Sequence, residues 1–412
     1  MSAGTCGLLV LGAGPGGYVC AIRAGQIGID TVIVEETAPG GTCLNVGCIP
    51  SKALIHAANE FHKITHASDQ SALGIKVADP TIDLGKTVDW KDAIVRRLNG
   101  GVGGLFRKAG VRLIRGRGEI LDGKTVRVVT EDGEETIQTE ALVLASGSAP
   151  AALPTLPFGG KVISSTEALS LAEPPSALAV VGGGYIGLEL GTAYAKLGSR
   201  VTVIEAEERI LPQYDAAITR PVEQSLERLG ATVLTRTKAL EPTKKGLRVD
   251  HAADGPREIE ADRILVTTGR TPRIREAGID GLALTITQDG FIAIDDRCAT
   301  SMRGVYAIGD ITGDLMLALG GEVVRLDQIE DRDPPLLLDV RGAPAEALLV
   351  QFDMDDARVR HAGVIAAGRG RTSGFCRPTI HSTAHRLVPR GRPGAAVVRP
   401  CANPPRGRRC AP

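Results

Sequence analysis

Leu8-Leu9-Val10-Leu11-Gly12-Ala13-Gly14-Pro15-Gly16-Gly17 is the stretch whose reading decides the fold. Four consecutive apolar residues suit a strand buried on both faces of a parallel sheet. The glycines then fall in the order GxGxxG, and a helical stretch runs from about Gly16 to Ile27. A second apolar strand, Thr31 to Val34, ends in Glu35. A lone GxGxxG is a weak signal. Strand, glycines, helix, strand and acid in this order are the mark of a dinucleotide-binding unit. In such a unit Gly12 permits the turn, Gly14 lets a pyrophosphate approach the backbone, and Gly17 allows close helix–strand packing. Glu35 is then placed to accept hydrogen bonds from the adenosine ribose hydroxyls.

The same plan occurs a second time after Pro174-Pro175. Ala179 to Val181 reads as a strand, and Gly182-Gly183-Gly184-Tyr185-Ile186-Gly187 is a second GxGxxG. The helix runs on through Glu189 toward Leu197, and the strand Val201 to Ile204 ends in Glu205. A helix near 216–229 and several β-like runs lead to Ile264–Val266 and then Thr267-Thr268-Gly269-Arg270. In the first half Ala141 to Ala145 leads likewise into Ser146-Gly147-Ser148. An internal repeat of this kind suits two nucleotides held by two related domains. At a ribose 2′ position the Glu205 carboxylate hydrogen-bonds a hydroxyl and repels a phosphate, so the second nucleotide is expected to be NAD rather than NADP. Arg209 lies further along and is less well placed to receive a phosphate.

Between the repeats, Leu54 to Lys63 and Trp90 to Ala109 read as helices, the latter with Ile94, Leu98, Val102 and Leu105 on one side. Residues 67–87 read as loop. Three β-like runs follow near Val111–Ile114, Thr125–Val129 and Glu135–Gln138, with Asp122-Gly123 and Asp132-Gly133 as turn signals.

At 412 residues and 43% hydrophobic content the chain is long enough for two or three domains with real cores. A formal net charge of zero gives no reason to expect nucleic acid or an acidic membrane as partner. No apolar run approaches the roughly 18 residues of a membrane span. No export signal is visible at the N-terminus, so a cytoplasmic location is expected. Eight cysteines in so long a chain do not make a secreted disulfide scaffold, and a CxxxxC pair is more naturally catalytic.

That pair lies in Gly40-Gly41-Thr42-Cys43-Leu44-Asn45-Val46-Gly47-Cys48-Ile49-Pro50-Ser51-Lys52. On an undistorted helix its Cα atoms would be separated by roughly 7.5 Å of rise, whereas a disulfide needs them within about 6.8 Å. If the pair bridges, the backbone must be pinched between the cysteines, and Gly47 is the residue able to supply that. Pro50 does not interrupt a helix beginning there, since its missing N–H falls among unpaired first-turn donors. A thiol near that helix start has its thiolate favoured. Taken alone, the stretch reads equally as two buried reduced cysteines.

Set after a dinucleotide-binding unit, GGTCLNVGCIPSKAL closely resembles the redox-active site of the flavoprotein disulfide reductases, the class I pyridine nucleotide-disulfide oxidoreductases. Its wording, with Leu44, Ile49 and Ser51, is most similar to the branch that oxidises dihydrolipoamide. The resemblance covers residues 1 to about 318. It implies an α/β fold of two Rossmann-like domains in β/β/α layers. An FAD-binding domain would comprise 1–148 and 271–318, and an NAD-binding domain 149–270. It further implies that Cys43 and Cys48 form a redox disulfide, with Cys43 as the interchange thiol and Cys48 next to the flavin. Lys52 would pair with Glu189 across the domains, and Tyr185 would gate access for NAD. FAD would be held by Gly12, Gly14, Gly17, Glu35, Gly41, Thr42, Lys52, Gly118, Ser146, Gly147, Asp310 and Ala318. NAD would be held by Gly182, Gly184, Tyr185, Ile186, Gly187, Glu189, Glu205 and Gly269. Asp310 belongs to the run Thr300 to Asp310, which resembles the family's second FAD motif. The implied partner is dihydrolipoamide on the lipoyl domain of a 2-oxoacid dehydrogenase complex. Relatives are homodimers.

After Ala318 the resemblance stops. Relatives continue into an interface domain that ends in a His-Pro-Thr-x-x-Glu motif, and no His-Pro-Thr string occurs here. Residues 319–412 are expected to be disordered or out of frame, leaving no histidine base to assign and no interface domain. Residues 357–412 are rich in arginine and contain no acid or lysine. Cys376, Cys401 and Cys410 with His381 and His385 fit no metal-ligand spacing, so no metal is expected. Two other readings follow from the tail: a nucleotide-binding fragment without turnover, or an NADH-dependent reductase of another disulfide.

Overall fold

The computed structural model describes residues 2–70, 74–275 and 278–313, with four short strands at 323–326, 336–339, 350–352 and 359–361. In chain order the first half comprises β1 (Ser2–Leu11), α1 (Pro15–Gln26), β2 (Thr31–Glu35), α2 (Gly41–Val46), α3 (Cys48–Gln70) and α4 (Leu84–Ala109). β3 (Arg112–Arg115), β4 (Arg117–Asp122), β5 (Thr125–Thr130) and β6 (Gly133–Leu144) follow. β1 lies between β2 and β6, parallel to both, and β2 is parallel to β3. β4 and β5 continue the sheet from β6 as an antiparallel meander.

Period-2 alternation along β1 divides the packing. Leu8 and Val10 face α1 and α4, in a cluster with Cys20, Ala24 and Phe106. Leu9 and Leu11 face the meander, with Ile120, Val126 and Val128. The result is three layers, helix on sheet on sheet.

The second half repeats this. After β7 (Ser148–Pro150), β8 (Val162–Ile163) and α5 (Ser165–Ala168) come β9 (Ala177–Val181), α6 (Tyr185–Lys196), β10 (Arg200–Ile204), α7 (Ala216–Arg228) and β11 (Thr232–Leu234). β12 (Thr237–Pro242), β13 (Gly246–His251) and β14 (Gly255–Glu260) form the meander, and β15 (Arg263–Val266) returns beside β9. Leu178 and Val180 face α6, while Ala179 and Val181 pack with Leu247 and Val249 of the meander. β16 (Arg270–Pro272) pairs antiparallel with β7, so the two crossings between the halves run side by side. β17 (Val305–Ala307) then rejoins the first sheet, parallel to β6.

Several elements differ from the sequence expectation. The runs 135–138 and 141–145 are one strand, β6, because both halves of it pair with β1. Residues 67–87 are not all loop. α3 reaches Gln70, and α4 starts at Leu84, where the Asp83 side chain accepts the Lys86 N–H at 3.0 Å. On α4 Leu105 is exposed, and it is Phe106, one turn after Val102, that fills the core against α1. Past residue 318, where the family resemblance ends, 323–326 pairs with 336–339 and 350–352 with 359–361, all antiparallel.

Candidate redox and nucleotide site

Gly12 takes φ 101°, and a Cβ there would stand 2.3 Å from the Ala145 carbonyl oxygen, so only glycine makes this turn. The turn aims the start of α1 outward. No side chain caps it, and Gly14 is extended, leaving its first N–H groups open to an anion. The second loop is built alike: Gly182 has φ 105°, α6 has no side-chain cap, and a Cβ on Gly184 would meet nothing within 4 Å. Both loops therefore have the open backbone cradle that a pyrophosphate fits. Each acid braces its own loop. Glu35 accepts the Ala13 N–H at 2.8 Å, and Glu205 accepts the Gly183 N–H at 2.6 Å. Thr37 also donates twice to Glu35, and the Glu207 N–H to Glu205, so each carboxylate keeps at least one lone pair for a ribose hydroxyl. Arg209 donates instead to the Tyr214 and Pro212 carbonyls, at 2.6 and 2.7 Å.

The cysteine stretch is locked onto the first loop. Gly41, with φ 57°, packs so closely that a Cβ would lie 2.5 Å from the Gly14 Cα. α2 ends at Gly47 and α3 begins at Cys48, so the helix is broken between the two cysteines. A Cβ at Gly47 would sit 2.8 Å from the Thr42 carbonyl oxygen. This is the pinch the spacing demands. Pro50 falls within the first turn of α3 and leaves the helix intact.

Both cysteines are thiols, in hydrogen-bond contact with each other. The Cys43 thiol's hydrogen bond to Cys48 lowers the Cys48 pKa to about 7, helped by the Lys52 ammonium and the α3 N-terminal backbone, against desolvation. The same hydrogen bond, with burial, raises that of Cys43. Cys48 is thus the thiolate and Cys43 the proton holder. α3 packs against α6 through residues such as Leu54 and Ala58. This contact brings the Lys52 ammonium to 2.8 and 2.7 Å from the two carboxylate oxygens of Glu189.

A third group closes the site. Arg270, from β16, donates from Nε to Ser148 Oγ at 2.7 Å and from Nη2 to the Ser148 carbonyl at 2.8 Å and Thr42 Oγ at 3.3 Å. Its Nε is 3.7 Å from Asp310 Oδ2, and Ser148 Oγ donates to that oxygen at 2.5 Å. Burial lowers the Arg270 pKa. Tyr185, half-exposed at the start of α6, has its pKa raised by burial, and the charges of Arg270, Asp310 and Cys48 all act on it.

The structure thus brings together Cys43, Cys48, Lys52, Glu189, Tyr185, Thr42 and Asp310. Ser146 is turned to the Arg273 carbonyl at 2.8 Å, and Gly147 takes φ 70° beside it. Gly118 lies inside β4, where a Cβ would meet Leu11 Cδ1 at 2.3 Å. Ile186 is half-buried, packed behind the second loop beside Gly187, and Gly269 takes φ 149° just before Arg270. Ala318 lies outside the described residues, as do Cys376, Cys401, Cys410, His381 and His385.

Sequence reading missed the roles of Arg270 and Tyr18. Arg270 follows the small-residue turn directly, which was its one visible signal. Tyr18, on α1, has its pKa pushed up to about 12 by burial and by the nearby Cys43 and Cys48. Nothing in its spacing set it apart from core.

The family model for pyridine nucleotide-disulphide oxidoreductases matches residues 7–323. The chain belongs to this family. Members of the pyridine nucleotide-disulphide oxidoreductase family of this kind use FAD and NAD(H), which the two open cradles fit. The chain is 55% identical over 312 residues to a dihydrolipoyl dehydrogenase of Pseudomonas aeruginosa, covering 76% of this chain and 67% of that one. It is 42% identical to the Geobacillus stearothermophilus enzyme of the same name, over 74% of this chain and 64% of that one. The chain therefore spans about two thirds of the length of these relatives. A Halobacterium salinarum dihydrolipoyl dehydrogenase is 44% identical over 394 residues, 89% of this chain and 81% of its own, so that alignment runs past residue 318. Among solved structures, LpdA from Mycobacterium tuberculosis superposes with a TM-score of 0.68 at 26% identity, covering 76% of this chain and 69% of that one.

Proposed function

We propose that this chain oxidises dihydrolipoamide to lipoamide and passes the electrons to NAD, through a disulfide between Cys43 and Cys48. The observation that carries the reading is the Cys48 thiol lowered to about 7 by Cys43 and Lys52. A substrate thiolate attacks Cys43 Sγ, the Cys43–Cys48 bond breaks, and Cys48 leaves as a stabilised thiolate. The second substrate thiol then attacks the mixed disulfide, releasing the cyclic substrate disulfide and leaving Cys43 as thiol. Bound FAD supplies the transfer of two electrons from the thiol pair to the nicotinamide. Glu189 holds the Lys52 ammonium, whose positive charge favours the Cys48 thiolate. Arg270 ties Thr42 to Ser148 and Asp310 and so steadies the site. Tyr185, half-exposed at the start of α6, would gate the entry of a nicotinamide.

In this reading residues 1–148 with 271–318 form the FAD-binding domain and 149–270 the NAD-binding domain. The return of β17 to the first sheet supports that division. Glu205 and the engaged Arg209 favour NAD over NADP. Among the described residues no helix is long and apolar enough to cross a membrane. The substrate is carried on a lipoyl domain of a 2-oxoacid dehydrogenase complex. The test is NADH formation from dihydrolipoamide and NAD by the full chain loaded with FAD. Turnover should vanish in both Cys43→Ser and Cys48→Ser. Turnover that survives either substitution overturns the reading.

A further inference from the structure

α3 carries a second set of coordinating groups far from the thiols. His62 and His66 lie fourteen positions and more beyond Cys48, about 21 Å along the helix. They are four residues apart, so both project from one face. Their ring centroids are 3.9 Å apart with planes inclined by 45°. We propose that this pair is a binding site for a first-row transition-metal dication, Cu²⁺ in preference to Zn²⁺.

Three observations support it. First, two histidines at i and i+4 on one helix face is the arrangement that holds a metal between two imidazoles. Second, the tautomer of His66 follows from its partners. The Thr65 hydroxyl donates to the His62 carbonyl at 3.0 Å, and His66 Nδ1 lies 3.0 Å from the same oxygen. Nδ1 therefore carries the proton and donates, leaving the Nε2 lone pair free for a metal. A backbone carbonyl holding the other ring nitrogen is the usual support of a metal-binding histidine. Third, the Lys196 ammonium beside His62 does not block the pair, being held by Asn59 Oδ1 at 2.6 Å.

Among the described residues no third His, Cys, Asp or Glu side chain joins the pair, which would leave the remaining positions of a bound ion to water. Imidazole ligation follows the order in which Cu²⁺ binds more tightly than Zn²⁺. The bound ion would clip one turn of the helix that presents Cys48 and Lys52.

The experiment is calorimetric titration of Cu²⁺ and of Zn²⁺ into the metal-stripped full chain, with Cys43 and Cys48 oxidised to their disulfide so that thiols do not compete. One equivalent should bind more tightly as Cu²⁺ than as Zn²⁺. His66→Gln and His62→Gln should each weaken that equivalent at least tenfold. His66 is exposed, so its replacement leaves the fold intact, and circular dichroism checks this. The Cu²⁺ electron paramagnetic resonance spectrum should show coupling to two nitrogens that falls to one in His66→Gln. Unchanged affinity in His66→Gln, or a spectrum indifferent to both substitutions, overturns the proposal.

Discussion

In the first half β1 meets α1 at Gly12, and Glu35 steadies the loop through the Ala13 N–H; in the second β9 meets α6 at Gly182, and Glu205 does the same through the Gly183 N–H. The two loops differ in what leans on them. Gly14 is roofed by Gly41, so the cysteine stretch and the first loop are one packed unit. Gly184 has open space around it, and the nearest functional side chain is the half-exposed Tyr185. On the proposed function, the first cradle would keep its nucleotide beside the thiols and the second would let its nucleotide exchange. The same βαβ plan differs between the halves in the residues packed over the loop.

The largest effect expected is at the thiols. Cys48→Ser should lower turnover about 10³-fold or more, as loss of a reacting nucleophile does. It should also remove any long-wavelength thiolate–flavin absorbance on reduction. Cys43→Ser should show that absorbance without reduction. Matching spectra from the two variants would remove the asymmetry between them.

The next effect separates the loops. Gly41→Ala forces a Cβ to 2.5 Å from Gly14 and should cost about 1–3 kcal/mol as an overpacking change, with FAD retention falling roughly tenfold or more. Gly184→Ala, with nothing within 4 Å, should leave the melting temperature nearly unchanged and raise the KM for NADH. Equal losses of stability in both would mean that the loops are not packed differently. Fluorescence of released FAD and thermal melts read the two arms.

A smaller effect concerns the acids. Glu205→Arg should narrow the NADH-over-NADPH preference by about tenfold, since it replaces a hydroxyl acceptor with a phosphate partner. Glu35→Gln should leave that preference alone and loosen FAD instead.

The smallest is a shift in pH. The Cys48 thiol lies below its ordinary value, at about 7, so it is thiolate above that pH and thiol below it. Alkylation of reduced protein by iodoacetamide should therefore rise as pH climbs through about 7. Lys52→Gln removes one stabilising cation and should move that midpoint up by about half to one pH unit. A midpoint that stays in place would assign the lowering to Cys43 and the helix start alone. The Lys52–Glu189 pair is half-exposed, so its loss should cost stability at most about 1 kcal/mol.

Much of this was legible in the order of residues. Backbone geometry that only glycine permits leaves a mark in sequence, so Gly12 and Gly182 could be placed in their turns, and Gly17 and Gly187 on the helices packed against them, from spacing alone. Apolar runs bounded by those turns placed β2, β9 and β10 to within two residues, whereas β1 begins well before its expected start at Leu8. The CxxxxC spacing required a pinch, and Gly47 was the residue able to supply it. The exposed side of α4 was misjudged at Leu105, because periodicity over several turns does not say which of two adjacent apolar residues the neighbouring helix will cover.

Sequence by itself determined the two dinucleotide units, the cysteine pair and the acid that ends each second strand, since each depends on contacts among residues close along the chain. Tertiary structure alone decided that Gly41 roofs Gly14 and that Arg270 ties Thr42 to Ser148 and Asp310, and it made the meeting of Lys52 with Glu189, which the family resemblance implied and no spacing shows. Those pairs lie 27 to 228 positions apart, the last figure being that of Arg270 and Thr42. Local spacing carries no information at that range. The packing of α3 on α6 and of β7 beside β16 brings such groups together, and with them the low pKa of Cys48 and the charge that surrounds it.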